Sequence, residues 1–267
     1  MAWVKAYKGF SKDMTCRGFQ FEEGKTYELP YGVEAKLCES GFHACENPLD
    51  CWSYYDITKS EYHEVELDEV SDERERDTKL CARKIRIGAK LDLKGIVKAS
   101  VDFMMNSVKG GMSGATTDNG NDWAQIGSSG DGAQIGSSGY GAKIGSSGYG
   151  ARIGSGGDGA RIASSGDWAK IGSSGYGAKI GSSGDWAKIA SGGDWAQIEM
   201  TGERSVAACV GNNGKIKAPM GCWIVLSEWK DVDGKWTPVC VRAAQVDGES
   251  IKPDTWYKLR NGEFVEC

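Results

Sequence analysis

The 267-residue sequence has only two histidines, His43 and His63, and only five prolines. Acid–base chemistry near neutral pH would have to fall on those two imidazoles or on a perturbed carboxylate. Nowhere do about eighteen consecutive apolar residues occur, which argues against a membrane-spanning helix. The stretch MAWVKAYKGFSKDMTCRGF lacks the unbroken apolar segment of a secretory leader. The expectation is a cytoplasmic protein with no membrane partner. Charge of one sign is also lacking: a formal net charge of −5 gives no global reason for tight binding to nucleic acid or anionic lipid, so any such site must be a local patch. The nine cysteines are an odd number with no Cys-x-x-Cys pair, which points to free, largely buried thiols and away from a disulfide framework.

Glycine, in contrast, is abundant. Most of the 39 glycines fall in one central block, so the excess reports a repeat. From Ala124 an alanine recurs every nine residues up to Ala196, an isoleucine follows each by two places (Ile126 to Ile198), and a glycine follows each isoleucine by four. The unit reads Ala-x-Ile-Gly-Ser-Ser-Gly-(Asp/Tyr)-(Gly/Trp). In a strand Ala and Ile share one face, which makes them the core, and the intervening residue points outward. Gly-Ser-Ser-Gly then supplies a turn whose glycines tolerate positive φ or close backbone approach. One such unit is too short to circle a core, whereas two units lay down two facing strands and two turns. The repeats therefore predict a parallel β-solenoid with two nine-residue repeats per coil, about four and a half coils over residues 124–202, or about 20 Å of stacked strands.

The flanks differ. Residues 1–112 mix strand-like stretches (3–7, 25–29, 62–67 and 80–87) with two helical signals: Asn47-Pro48 as N-cap and first helical residue, and Asp92 capping a helix that presents Leu93, Ile96, Val97, Val101, Met104 and Met105 on one face. This predicts an α+β domain. Residues 113–214 hold the array, with 112–123 and 199–214 as degenerate repeats, since a solenoid needs atypical caps. Residues 215–267 read as a small antiparallel β module with hairpin turns at 231–235 and at Asn261-Gly262. The predicted fold class is mainly β.

The outward positions carry the candidate binding residues. With two units per coil, Lys143, Arg161 and Lys179 stack on one face and Arg152, Lys170 and Lys188 on the other. Like charges about 4.8 Å apart repel by a few tenths to about 1 kcal/mol per exposed pair, so something should offset them. One reading assigns that role to the neighbouring acids Asp131, Asp158, Asp167, Asp185 and Asp194. The other assigns it to an anionic partner, with Tyr140, Tyr149, Tyr176, Trp168, Trp186 and Trp195 as stacking surfaces beside the cations. Those aromatics would also suit self-association of the solenoid, because they are costly to leave exposed.

Other constellations argue against themselves. The Asp lies one place too early for a calcium-binding nonapeptide roll, and Tyr replaces it in three units. The Gly24-Lys25-Thr26 triplet lacks the spacing of a phosphate-binding loop. Cys38, His43, Cys45 and Cys51 match no common zinc or catalytic pattern. No metal or cofactor is expected and no constellation argues for an enzyme; the weak catalytic candidates are His43, Cys45, Tyr54 and Tyr55.

The motifs KGF (8–10), TCRGFQ (15–20), GKTYE (24–28) and CESGFHACENP (38–48), with GCWIVL (221–226), IKPDTWY (251–257) and NGEFVE (261–266), resemble an uncharacterised family of bacteriophage and prophage proteins with a variable central array. That resemblance implies a phage context and transfers no catalytic residue. The expectation is a non-catalytic interaction protein in the host cytoplasm that binds a host protein, or alternatively nucleic acid, through its ladders, with a host antiviral defence system as candidate target. The alternatives are a virion fibre component, an enzyme in the N-terminal domain, or a mere spacer array.

Overall fold

The computed structural model describes residues 3–57, 59–74, 77–107 and 116–267. The chain divides into two compact units, Met1–Phe103 and Met104–Cys267. In the first, strands β1 (Val4–Ser11), β4 (Thr26–Glu28), β5 (Phe42–Cys45), β6 (Ser60–Val70) and β7 (Lys79–Leu91) form an antiparallel sheet, and β2 (Thr15–Cys16) and β3 (Phe19–Gln20) make a small hairpin. Strand order is β4-β7-β5-β1-β6, and β6 also pairs with β7, so four strands close on themselves. The alternation in His-Glu-Val-Glu-Leu explains β6: His63, Val65 and Leu67 turn inward and join Phe10, Ile85 and Ile87 in the core.

Helix α1 (Pro48–Tyr54) begins as its sequence dictates. The Asn47 side chain accepts from the Leu49 N–H at 3.1 Å, and Pro48, which has no N–H to orphan, takes the first turn. Trp52 and Leu49 are buried beneath it. Helix α2 (Leu93–Ser107) is capped by Asp92, whose carboxylate accepts from Gly95 N–H at 2.7 Å. Ile96 and Val97 are buried; the side chains of Leu93, Val101, Met104 and Met105 lie outside the described residues.

The second unit is the solenoid. Strand β8 (Thr116–Asn119) is followed at nine-residue steps by β9 (Gln125–Ser128), β10 (Gln134–Ser137), β11 (Lys143–Ser146), β12 (Arg152–Ser155), β13 (Arg161–Ser164), β14 (Lys170–Ser173), β15 (Lys179–Ser182), β16 (Lys188–Ser191), β17 (Gln197–Met200) and β18 (Val206–Cys209). Even-numbered strands stack in one parallel sheet and odd-numbered strands in a second. Each residue pairs with the one eighteen places on, as in Ile135 with Ile153 and Ile144 with Ile162. Two repeats therefore make one coil. The stack makes about six turns over residues 125–226, where four and a half were expected. It runs on because β19 (Lys215–Lys217), at the eighteen-residue step, and the start of β20 (Trp223–Val232), at a step of seventeen, still pair in parallel after the Ala-x-Ile pattern has faded. Of the expected degenerate N-terminal segment, residues 112–115 lie outside the described residues.

The interior holds the alanine and isoleucine columns, as the periodicity requires. It also holds a serine column. The first serine of each unit belongs to the strand and not to the turn, so Ser137, Ser146, Ser164, Ser182 and their equivalents point inward. Four strand residues put the fourth on the same face as the second, and serine is small enough to fit the narrowing corner. The glycine four places beyond each isoleucine is required by close approach: a Cβ on Gly166 would sit 2.0 Å from the carbonyl oxygen of Gly148, one coil earlier.

The C-terminal strands finish both sheets. Strand β20 turns at Asp233-Gly234 into antiparallel β21 (Lys235–Gln245), and β22 (Trp256–Arg260) turns at Asn261-Gly262 into β23 (Glu263–Glu266). Both central residues of each turn have positive φ, the two-residue hairpin geometry that matches strand twist. The edge strand β21 carries Pro238 opposite a register shift at Glu228/Trp229, features that discourage further strand addition.

Candidate functional site

Although their repeats are the same, the two solenoid faces differ. Lys143 and Arg161 are buried, at 1% and 8% exposure, and Lys179 is half-buried. On the other face Gln134, Arg152, Lys170 and Lys188 are all exposed. These four border a shallow trough of about 760 Å³ whose floor is made by Gly136, Gly154 and Gly172. The floor is flat because the outward residue after each isoleucine is glycine there: a Cβ on Gly154 or Gly172 would meet nothing within 4 Å.

The acids do not offset the exposed cations by pairing with them. Among the described residues Arg152, Lys170 and Lys188 form no salt bridge. The corner carboxylates are engaged with backbone instead: Asp131 accepts from Tyr149 N–H at 2.9 Å, Asp158 from Tyr176 N–H at 2.7 Å, and Asp167 from Asp185 N–H at 2.9 Å. Asp185 and Asp194 likewise accept from Glu203 and Asn212. Each bond staples one coil to the next, so the Asp column is foremost a structural element.

The aromatics split between two corners. Tyr140, Tyr176 and Trp195 follow even-numbered strands; Tyr149, Trp168 and Trp186 precede them, so Trp168 and Trp186 stand two residues ahead of Lys170 and Lys188. Trp168 and Trp186 stack at 5.2 Å between centroids with an 11° interplanar angle, and the Arg204 guanidinium lies 5.3 Å from the Trp186 ring. Both tryptophans have φ near +60°, a conformation that L side chains rarely adopt. The stack leaves about 40% of each tryptophan exposed.

The first unit contains a separate concavity of about 560 Å³. It gathers His43, Cys45, Tyr54 and Tyr55, the catalytic candidates from sequence, with Lys8, Arg17 and Lys79, which the sequence did not single out. The His43 Nε2 accepts from the Cys38 N–H at 3.0 Å. Burial, followed by Lys8, Lys79 and Arg17, holds its imidazole below the usual range. A hydrogen bond with Cys51, and then burial, push the Cys45 thiol well above its ordinary value, so it is not a thiolate. Burial also raises the Tyr55 phenol, whose oxygen lies 2.9 Å from Cys16 Sγ. All nine cysteines are free, and among the described residues no group of three or more His, Cys, Asp or Glu is placed to hold a metal ion.

Residues 4–99 match the family model described as Domain of unknown function (DUF7666), which spans the first unit's strands and stops short of the repeats. The match bears on the N-terminal motifs and not on the array or the C-terminal motifs. Neither a curated protein nor a solved structure matches the chain.

Proposed function

We propose that the protein is a non-catalytic interaction protein that uses the open solenoid face to bind an extended, acidic surface of a partner protein. The observation that supports this reading is the row Gln134, Arg152, Lys170 and Lys188 beside the glycine-floored trough, because its cations lack carboxylate partners among the described residues and its backbone floor is accessible. Regularly spaced cations favour an extended partner over a compact one. A net charge of −5 makes a protein partner, held by local complementarity, a better fit than nucleic acid, whose binding draws on many phosphate contacts at once. The resemblance to phage and prophage proteins supports a partner in the host cytoplasm, with an antiviral defence component as the candidate class.

The test is affinity purification of tagged protein from host lysate with mass spectrometry, run in parallel on the Arg152→Glu/Lys170→Glu/Lys188→Glu variant. Capture of one stoichiometric acidic partner by the parent protein, and its loss from a variant with unchanged circular dichroism, is the expected result. Equal capture by both removes the open face from the account. Nuclease-sensitive capture redirects the reading to nucleic acid, and recovery of the chain in purified virions favours the fibre reading.

A further inference from the structure

The pocket of the first unit holds an unusual charge. Lys8 lies in the middle of β1 and is 5% exposed. Its Nζ donates to the His43 carbonyl at 2.9 Å and is otherwise faced by the rings of Phe10, Tyr55 and Phe21, at 5.5, 5.9 and 6.0 Å to their centroids. Among the described residues no carboxylate pairs with it. An ammonium has three protons to satisfy, and a desolvated one without a counter-ion is expensive. Aromatic faces recover only part of that cost. Two more cations line the same space: Arg17 at the exposed rim, and Lys79, 7% exposed, whose Nζ stands 4.8 Å from the Tyr54 ring centroid and 3.4 Å from Cys38 Sγ. Glu39 is the only carboxylate among the described residues that line it, and it is exposed.

The remaining walls are aromatic. Phe19, 47% exposed, packs edge-on against Phe21 and Tyr27, and Phe42 stands behind them. Tyr55 is brought onto β1 because Gly9 has no side chain: a Cβ there would lie 2.4 Å from the Tyr55 ring. The space of about 560 Å³ lies within the range of small-ligand sites, and its lining has their usual makeup of apolar walls with a few convergent polar groups.

We infer that this pocket binds a nucleoside phosphate, with the phosphate against Lys8, Lys79 and Arg17 and the base against Phe19 and Phe42. A phosphate matches a pocket lined by Lys8, Lys79 and Arg17 better than a singly charged carboxylate does, and a base offers the planar face that the exposed phenylalanine lacks. The His43 ring serves as wall, its Nε2 accepting from the Cys38 N–H. The inference is independent of the solenoid reading.

Calorimetric titration of the full chain with AMP, GMP, CMP and UMP, with adenosine and inorganic phosphate as controls, tests it. At least one nucleotide is expected to bind about tenfold or more tightly than either control, and Lys8→Met, which keeps the length of the side chain and removes its charge, is expected to weaken that binding at least about tenfold. Absence of saturable binding by all four nucleotides, affinity for inorganic phosphate equal to theirs, or unchanged affinity in Lys8→Met overturns it. If Lys8→Met fails to fold, Arg17→Gln at the exposed rim asks the same question: weaker nucleotide binding supports the site and unchanged binding overturns it.

Discussion

In the solenoid every position has one job repeated along a column, whereas in the N-terminal unit no two contacts are alike. Gly166 meets Gly148 as Gly148 meets Gly130, and Asp167 staples Asp185 as Asp185 staples Glu203. Closure of β7, β5, β1 and β6 depends instead on single pairings such as Tyr7 with Cys45, and on particular side chains such as Phe10 and Leu67. A periodic structure exposes the rule behind each residue, because the same experiment has been run several times within one chain. An aperiodic one concentrates chemistry, because burying an unlike charge such as Lys8 at one place does not oblige its neighbours to repeat it.

Changing the length of the array tests the periodicity most severely. Deletion of eighteen residues, 144–161, removes one coil and returns every later strand to its own sheet; a cooperative melt within a few degrees of the parent is expected. Deletion of nine, 144–152, exchanges the two sheets for every later strand relative to β8–β10, so that Lys170 enters the column of buried Lys143 and Arg161 that of exposed Gln134; a clearly lower melting temperature than that of the eighteen-residue deletion is expected. Equal stability of the two deletions would show that the sheets are interchangeable.

Single glycines sharpen the rule. Gly166→Ala forces a Cβ against a carbonyl oxygen 2.0 Å away and should cost about 3 kcal/mol or more in denaturant melts. At Gly154, where the same Cβ meets nothing within 4 Å, alanine should be neutral or stabilising by up to about 1 kcal/mol. Ala163 and Ala190 already occupy equivalent positions.

The smallest effect concerns the N-terminal unit alone. His43 has its folded-state pKa lowered from 6.5, chiefly by burial. The unfolded chain therefore takes up a proton, as pH falls through about 6.5, that the folded unit refuses, and stability present above that pH is lost below it. Melting temperature should fall between about pH 7 and pH 5 in the parent and change less in His43→Gln. An identical pH profile in the variant removes His43 as the cause.

Much of this was legible in the residues themselves. Asn47-Pro48, Asp92 and Asn261-Gly262 act locally, through a cap or a turn whose geometry is complete within a few residues, and each stands where its chemistry placed it. Strand β5 was not legible: Phe42–Cys45 is four residues long, and its partners β1 and β7 lie more than thirty residues away in either direction. Neither was the pocket, because Lys8, Arg17, His43 and Lys79 belong to different segments and nothing in their spacing announces that β1, β5 and β7 will bring them together. Lys8 did carry one weak signal: it is a charge within a strand whose neighbours Tyr7, Gly9 and Phe10 are buried on both sides.

The sequence by itself determined the solenoid, its eighteen-residue coil and its alanine and isoleucine core, because the repeat period and the alternation of strand faces leave one way to bury those columns. Only the tertiary structure decided that Arg152, Lys170 and Lys188 are open while Lys143 and Arg161 are buried, and that Lys8, Arg17 and Lys79 line one pocket. Repeats of one pattern carry nearly the same local information, and exposure is a property of what surrounds a residue in space.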